Sequence, residues 1–325
     1  MKRVLVIGAA GFIGRAVCTE LQGRHDVVGL DITPRPADLC GLDWVSGSIT
    51  DQPLVASTAS GCDAAIFLAS TSLPGSSQAD LAGEVSSHVV GSLQVAETCA
   101  ANGVGQFVFA SSGGTVYGTD APEEGLPETA PTRPRNGYGV SKLALEHYLR
   151  LMRETGRMRT LSLRISNPYG EGQRALRGQG LIAAAMQHAL SGRRLPIWGD
   201  GTVERDFLHV SDVALAFAAA LSHDGPSTEI NIGSGQAVSI NDILAAVRRV
   251  TGQPLDVDYV QGRSIDVRRS VLNVACAERE LGWRAQIALD RGLERTARWW
   301  QQGTAQHAGI GQFAREGRAE IAKSG

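Results

Sequence analysis

The string Gly8-Ala9-Ala10-Gly11-Phe12-Ile13-Gly14 leaves this chain little choice of fold, because of what stands on either side of it. Val4 to Ile7 is a short apolar run suited to a buried parallel strand, and Phe12 to Leu21 is patterned as a helix. In a strand, turn and helix unit the three glycines do different work. Gly8 makes the tight turn, Gly11 lets a pyrophosphate approach the backbone, and Gly14 lets the helix lie against the strand. The helix N-terminus then receives negative charge. Asp31 follows a second strand, Val27 to Leu30, where its carboxylate can accept from ribose hydroxyls and would repel a 2'-phosphate. NAD is therefore expected in preference to NADP. A turn cap is the plainer use of Asp31, and Arg35 nearby would rescue a phosphate.

Further runs of the same kind follow: strands at Ala64 to Leu68, Phe107 to Phe109 and Leu161 to Ile165, with helical patterns at about Gly83 to Ala101 and Tyr138 to Arg153 between them. This alternation predicts a parallel sheet covered on both faces. Beyond Asn167 short strands (Pro196 to Trp198, Phe207 to His209, Ile230 to Ile232) mix with helices near Ile182 to Leu190 and Ile240 to Arg249. The expected division is a dinucleotide-binding domain over residues 1–166, a mainly substrate-binding lobe over 167–302, and a flexible tail over 303–325. Segments from about 203–233 are expected to return to the first domain.

Composition closes off other classes. Of 325 residues, 31 are basic and 33 acidic, so neither nucleic acid nor an anionic membrane is an expected partner. The longest apolar run, Val213 to Leu221, is too short to span a bilayer. Lys2 and Arg3 before an apolar stretch imitate a signal peptide, but the glycines interrupt that stretch. Five cysteines without a C-x-x-C pair read as reduced thiols in a cytoplasmic protein, and no metal site is expected.

Tyr138 and Lys142 stand four residues apart on one face of a predicted helix. An ammonium held there favours the phenolate, making the tyrosine a usable general base. Ser111-Ser112-Gly113-Gly114-Thr115-Val116-Tyr117-Gly118, directly after a strand, adds hydroxyls at the sheet's carboxyl end, where such sheets bind ligands.

With these segments, Arg164-Ile165-Ser166-Asn167-Pro168-Tyr169-Gly170, Trp198-Gly199-Asp200-Gly201, Arg205-Asp206-Phe207-Leu208-His209-Val210-Ser211-Asp212-Val213 and Glu280-Leu281-Gly282-Trp283, the chain resembles the extended short-chain dehydrogenase/reductase superfamily. Within it, the nucleotide-sugar epimerase/dehydratase group, of UDP-glucose 4-epimerase type, is the nearest match. The resemblance implies a Rossmann-type doubly wound parallel sheet (α/β) with a smaller α/β substrate lobe, NAD as cofactor, a UDP-sugar as substrate and a homodimer. It makes Tyr138 the base and Lys142 the holder of the nicotinamide ribose, and lines the cofactor site with Gly8, Gly11, Phe12, Ile13, Gly14, Asp31, Ser48, Ile49, Leu68 and Ala69. Asn167, Arg205 and Arg263 would meet the substrate diphosphate, and Ser270 would stand beside the sugar's C2 substituent, leaving room for an N-acetyl group.

Departures from the pattern matter as much. Gly113 occupies the place of the usual catalytic serine or threonine, so Ser112 and Thr115 are expected to share its role, or a water to replace it. Ser48 stands where an aspartate often meets the adenine, and His88 where an asparagine is common. Dehydratases of the group carry Asp and Glu at the positions of Gly114 and Thr115, and decarboxylases a Glu at the latter. An epimerase is therefore expected first and a ketosugar reductase second; a non-enzymatic dinucleotide sensor on the same fold is the remaining alternative.

Overall fold

The computed structural model describes residues 1–70, 80–174, 180–262 and 267–302. Seven parallel strands make the central sheet: β1 (Arg3–Ile7), β2 (Asp26–Asp31), β3 (Asp43–Ser46), β4 (Ala64–Phe67), β5 (Gln106–Ser112), β6 (Arg159–Ile165) and a late strand at Glu229–Ile232. The spatial order from the late strand is β6, β5, β4, β1, β2, β3. The chain thus winds outward from β1 in one direction, then crosses to the other side of β1 for β4. Ligands bind such sheets at the carboxyl ends of the strands where this reversal occurs.

Each central strand feeds two cores, because alternate side chains point to opposite faces. Val4 and Val6 join Val108, Ala110, Leu163 and Ile165 on one side, whereas Leu5 and Ile7 join Phe107 and Phe109 on the other. The first face is covered by α1 (Phe12–Leu21) and by a helix at Val210–Ala220, the second by α2 (Gln52–Ala59), a helical run from Leu81 to Ala101 and a helix at Gly137–Glu154. The Val210–Ala220 helix accounts for the long apolar run. It is buried on almost every side, so polar residues have no face to occupy. Among the described residues no helix is long and apolar enough to cross a membrane.

The run from Leu81 to Ala101 is longer than the pattern predicts and is not uniform. Asp80 caps it by accepting from the Gly83 N–H at 2.8 Å, which starts α3 (Leu81–Glu84) ahead of the expected first residue. A π-helical segment, Val85–Val90, then separates α3 from α4 (Gly91–Ala101). Such segments often mark functional sites.

After β5 come α5 (Gly113–Val116) and α6 (Gly137–Glu154), and after β6 the chain builds its second region. There β7 (Asn167–Tyr169) leads to α7 (Leu181–Ser191), β8 (Leu195–Trp198), β9 (Glu204–Arg205), β10 (Phe207–His209) and α8 (Val210–Ala220). The late central strand is β11 (Glu229–Ile232), and β12 (Val238–Ser239), α9 (Ile240–Thr251), β13 (Val257–Val260), β14 (Arg269–Ser270), α10 (Ala275–Leu281) and a helix over 289–302 complete the chain. A separate core of Ile182, Met186, Ile243, Val247 and Leu293 packs α7, α9 and that last helix together. Through β11, α8 and α10, parts of the later sequence thus build the central sheet's outer edge and cover. The expected tail over 303–325 lies outside the described residues.

Candidate active site

A cleft of ≈ 1940 Å³ opens along the carboxyl ends of the central strands and runs on to α7 and β8. At its head the glycine loop behaves as its spacing predicts. Gly8 adopts φ +85°, and a Cβ there would lie 2.7 Å from the Ala69 nitrogen. A Cβ on Gly14 would lie 2.1 Å from the Gly8 oxygen, so only glycine lets α1 descend onto the turn. Gly11 is exposed to the cleft, at the N-terminus of α1. The loop therefore fits a pyrophosphate: bare backbone and a helix end face the same opening.

Phe12, Ile13, Asp31, Ser48, Ile49, Leu68 and Ala69 all line the same stretch. Asp31 also ties the loop down, accepting from the Ala10 N–H at 2.9 Å and from the Thr33 N–H and hydroxyl at 3.0 Å. It thus does the work of a turn cap while presenting a carboxylate at the cleft. Arg35 donates to the Leu42 carbonyl at 2.9 Å. Ser48 sits in a local turn with Thr50, its hydroxyl 2.8 Å from that of Thr50.

Farther along, α6 begins where Asn136 accepts from the Gly139 N–H at 2.8 Å. A Cβ on Gly139 would come within 2.8 Å of the Thr115 oxygen. That glycine lets the start of α6 press against α5, which sets Tyr138 beside Thr115 at the cleft wall. Lys142 is buried beneath. Its ammonium donates to the Ala110 carbonyl at 2.9 Å and lies 4.7 Å from the Phe109 ring centroid and 5.3 Å from that of Tyr138. Burial pulls Lys142 down to about 7, against the opposing charges of Glu84 and Glu146. Burial, with Glu84 nearby, pushes the Tyr138 phenol up. In this structure the surroundings of Tyr138 therefore hold its proton on.

The Ser-rich segment needs correction. Its hydroxyls do not all serve the cleft. Ser111 donates to Glu146 and Tyr117 donates to Asn231 at 2.7 Å, both inside a buried network in which Glu146 and Arg164 form an ion pair at 2.8 Å. The reason is strand alternation: Ser111 and Arg164 share the face covered by α6. Ser112 and Thr115 line the cleft, and Thr115 Oγ1 is buried without a hydrogen-bond partner among the described residues. Gly113 is buried under Leu272, whose Cδ1 would lie 2.5 Å from any Cβ added there. A Cβ added at Gly114 would meet only Asn167 Oδ1, at 3.9 Å, so that position has room for a side chain.

Asn167, Arg205 and Ser270 line the far side of the cleft. Asn167 donates through its amide to the Asp206 carbonyl at 3.1 Å, and Arg205 donates to the carbonyls of Glu204 and Val267, each at 2.9 Å. Ser270 is paired with Arg205 between β14 and β9. Arg263 lies outside the described residues.

Glu84 escaped the sequence reading, and so did the burial of His88, which was named there only as a departure from the family pattern. His88, on the π-helical segment, is buried with both ring nitrogens unpartnered among the described residues, its ring centroid 6.0 Å from that of Tyr138. Burial, with the Lys142 charge, pulls its pKa down to about 3, so the imidazole is neutral. Glu84 is buried one turn earlier. Nothing in the polar sequence around them marks either as buried. Ser166, the residue before Asn167, lines the cleft with an unpartnered hydroxyl and was legible only as part of a motif.

The model for the NAD dependent epimerase/dehydratase family matches residues 4–233. The chain belongs to that family. Among its curated members, the UDP-glucose 4-epimerase of Mycolicibacterium smegmatis is 33% identical over 309 residues, covering 92% of this chain and 98% of that one. The dTDP-4-dehydro-6-deoxyglucose reductase of Escherichia coli is 30% identical over 304 residues, covering 90% and 95%. The solved UDP-glucose 4-epimerase of Thermotoga maritima, with UDP-glucose, superposes with a TM-score of 0.86 at 29% identity, covering 93% of this chain and 99% of that one.

Proposed function

We propose that this protein is an NAD-dependent nucleotide-sugar 4-epimerase acting on a UDP-hexose or UDP-N-acetylhexosamine. The observation that carries the reading is the convergence on one cleft of the glycine loop, Tyr138 above Lys142, and the Asn167, Arg205 and Ser270 wall. When bound, NAD would take a hydride from C4 of the sugar and give it back. Gly8, Gly11 and Gly14 would hold its pyrophosphate, Asp31 its adenosine ribose and Lys142 its nicotinamide ribose. Tyr138 removes the O4 proton as the 4-keto sugar forms and returns it after the sugar has turned over. Lys142 stabilises the phenolate in between. Ser112 and Thr115 orient the O4 hydroxyl in place of the residue missing at Gly113. Asn167 and Arg205, with Arg263, would grip the diphosphate, for which guanidinium forks are suited.

The carboxylate-free stretch from Gly113 to Thr115 supports epimerisation over dehydration. A ketosugar reductase is the second reading, favoured by the Escherichia coli relative. The deciding assay offers UDP-hexoses and UDP-N-acetylhexosamines to the purified protein. Interconversion of C4 epimers without net change in NADH is expected, and stoichiometric NADH consumption with a ketosugar would establish the reductase instead. Ser270→Tyr should selectively remove activity on the N-acetylated sugar by filling its space; equal loss on both sugars would remove Ser270 from the pocket.

The same proposal takes residues 1–166 with the β11 region as cofactor domain and most of 167–302 as substrate lobe. It also includes a homodimer. Leu81, Val85 and Val90 on one helical run, and Val140, Tyr148 and Leu151 on α6, leave apolar side chains exposed on two helices that pack together. Five unpaired cysteines support work in the reducing cytoplasm.

A further inference from the structure

β6 sorts its side chains by alternation. Leu161, Leu163 and Ile165 enter the core beneath α8. Thr160 and Arg164 turn to the other face, where Thr160 donates to the Leu149 carbonyl of α6 and Arg164 pairs with Glu146 of α6. Ser166 continues that second series one step past the strand, its backbone still in register through an N–H donated to the Ile232 carbonyl at 2.9 Å. Its hydroxyl therefore lies on the face of the sheet that also carries Tyr138 and Lys142. It is 7% exposed, lines the cleft and has no hydrogen-bond partner among the described residues. Its neighbours differ: Ser111 is spent on Glu146 and the Asn167 amide on Asp206. A buried hydroxyl left unpaired is costly, so a cleft-facing one is a place where a ligand group belongs.

The order of the rim says which group. Along the sheet the cleft passes Asp31 at β2, the glycine loop at β1, Ala69 after β4, Ser112 at β5 and Ser166 at β6. A dinucleotide laid with its adenosine ribose at Asp31 and its pyrophosphate at Gly11 brings its other end to the rim of β5 and β6. Apart from the ribose hydroxyls, that end carries one group able both to donate and to accept, the carboxamide, and a serine hydroxyl offers both roles in return. We infer that Ser166 receives the nicotinamide carboxamide and so fixes which face of the ring is turned toward the sugar. The inference rests on the NAD part of the proposed function.

The test is calorimetric titration of the full-length, nucleotide-free protein with NAD and with ADP-ribose, which lacks the nicotinamide. Ser166→Ala should weaken NAD binding by about 5- to 10-fold, the worth of one net hydrogen bond, and leave ADP-ribose binding unchanged. Ser166→Thr, which keeps a hydroxyl, should stay within about 2-fold of the parent for NAD. ADP-ribose binding also reports that each variant is folded. Equal losses for both ligands, no loss for either, or a loss confined to UDP-sugar affinity would overturn the assignment. A parent protein that binds neither ligand would overturn the cofactor reading with it.

Discussion

In the proposed mechanism the proton of the sugar hydroxyl passes to one phenol, Tyr138, whose surroundings work against its ionisation. Burial and the Glu84 charge raise Tyr138, and burial draws the neighbouring Lys142 down to about 7. Because the base form is the phenolate, kcat/KM should climb with pH on the acid side of its profile. Tyr138→Phe keeps the ring and deletes the base, so turnover should fall by about 10²- to 10⁴-fold while UDP-sugar binding holds. Near-normal turnover in that variant would dismiss the mechanism. That Tyr138 and Lys142 share one helix face was readable from their spacing, and their joint use from the glycine loop upstream. What the spacing did not carry was the depth of Lys142 or the carboxylate near it, because both depend on how the run from Leu81 to Ala101 packs on α6.

Among the elements, the π-helical segment has a consequence for stability. His88 stays neutral in the folded protein down to about 3, whereas an unfolded chain protonates it near 6.5. Between those values the unfolded state binds the extra proton, so stability is lost as pH falls, by up to about 1.4 kcal/mol per pH unit. His88→Asn should flatten the fall in Tm between pH 6.5 and 4, and an unchanged slope would show that other groups govern it. The regular elements were largely legible: α1 runs over Phe12–Leu21 as its pattern predicts, and β10 over Phe207–His209. Their signals are local, a period of 3.6 or a short apolar run between turns. β3 and α2 went unread, since DWVS is half polar and QPLVASTA has too weak an apolar stripe to stand out. The two-residue strands β9 and β12 were not legible at all. Their pairing is settled by distant partners, as in β14 against β9.

Over the whole molecule, two surfaces connect remote parts of the chain. The first is the apolar stripe shared by the Leu81 to Ala101 run and α6. If it closes a homodimer, Val85→Glu with Leu151→Glu should halve the sedimenting mass toward 34.3 kDa while NAD binding survives. A parent protein that sediments as a monomer would refute the dimer. The second is internal, where Leu272 fills the space above Gly113. Gly113→Ser should cost about 1–3 kcal/mol by overpacking, and Leu272→Ala about 2–5 kcal/mol by leaving a cavity. Together they should cost less than their sum, since each relieves the other's defect; strict additivity in denaturant melts would refute the contact. The two positions therefore constrain each other across the length of the chain: any side chain at 113 must displace a buried leucine contributed from far along the sequence, and shrinking 272 alone opens a cavity, so neither residue changes freely while the other stays.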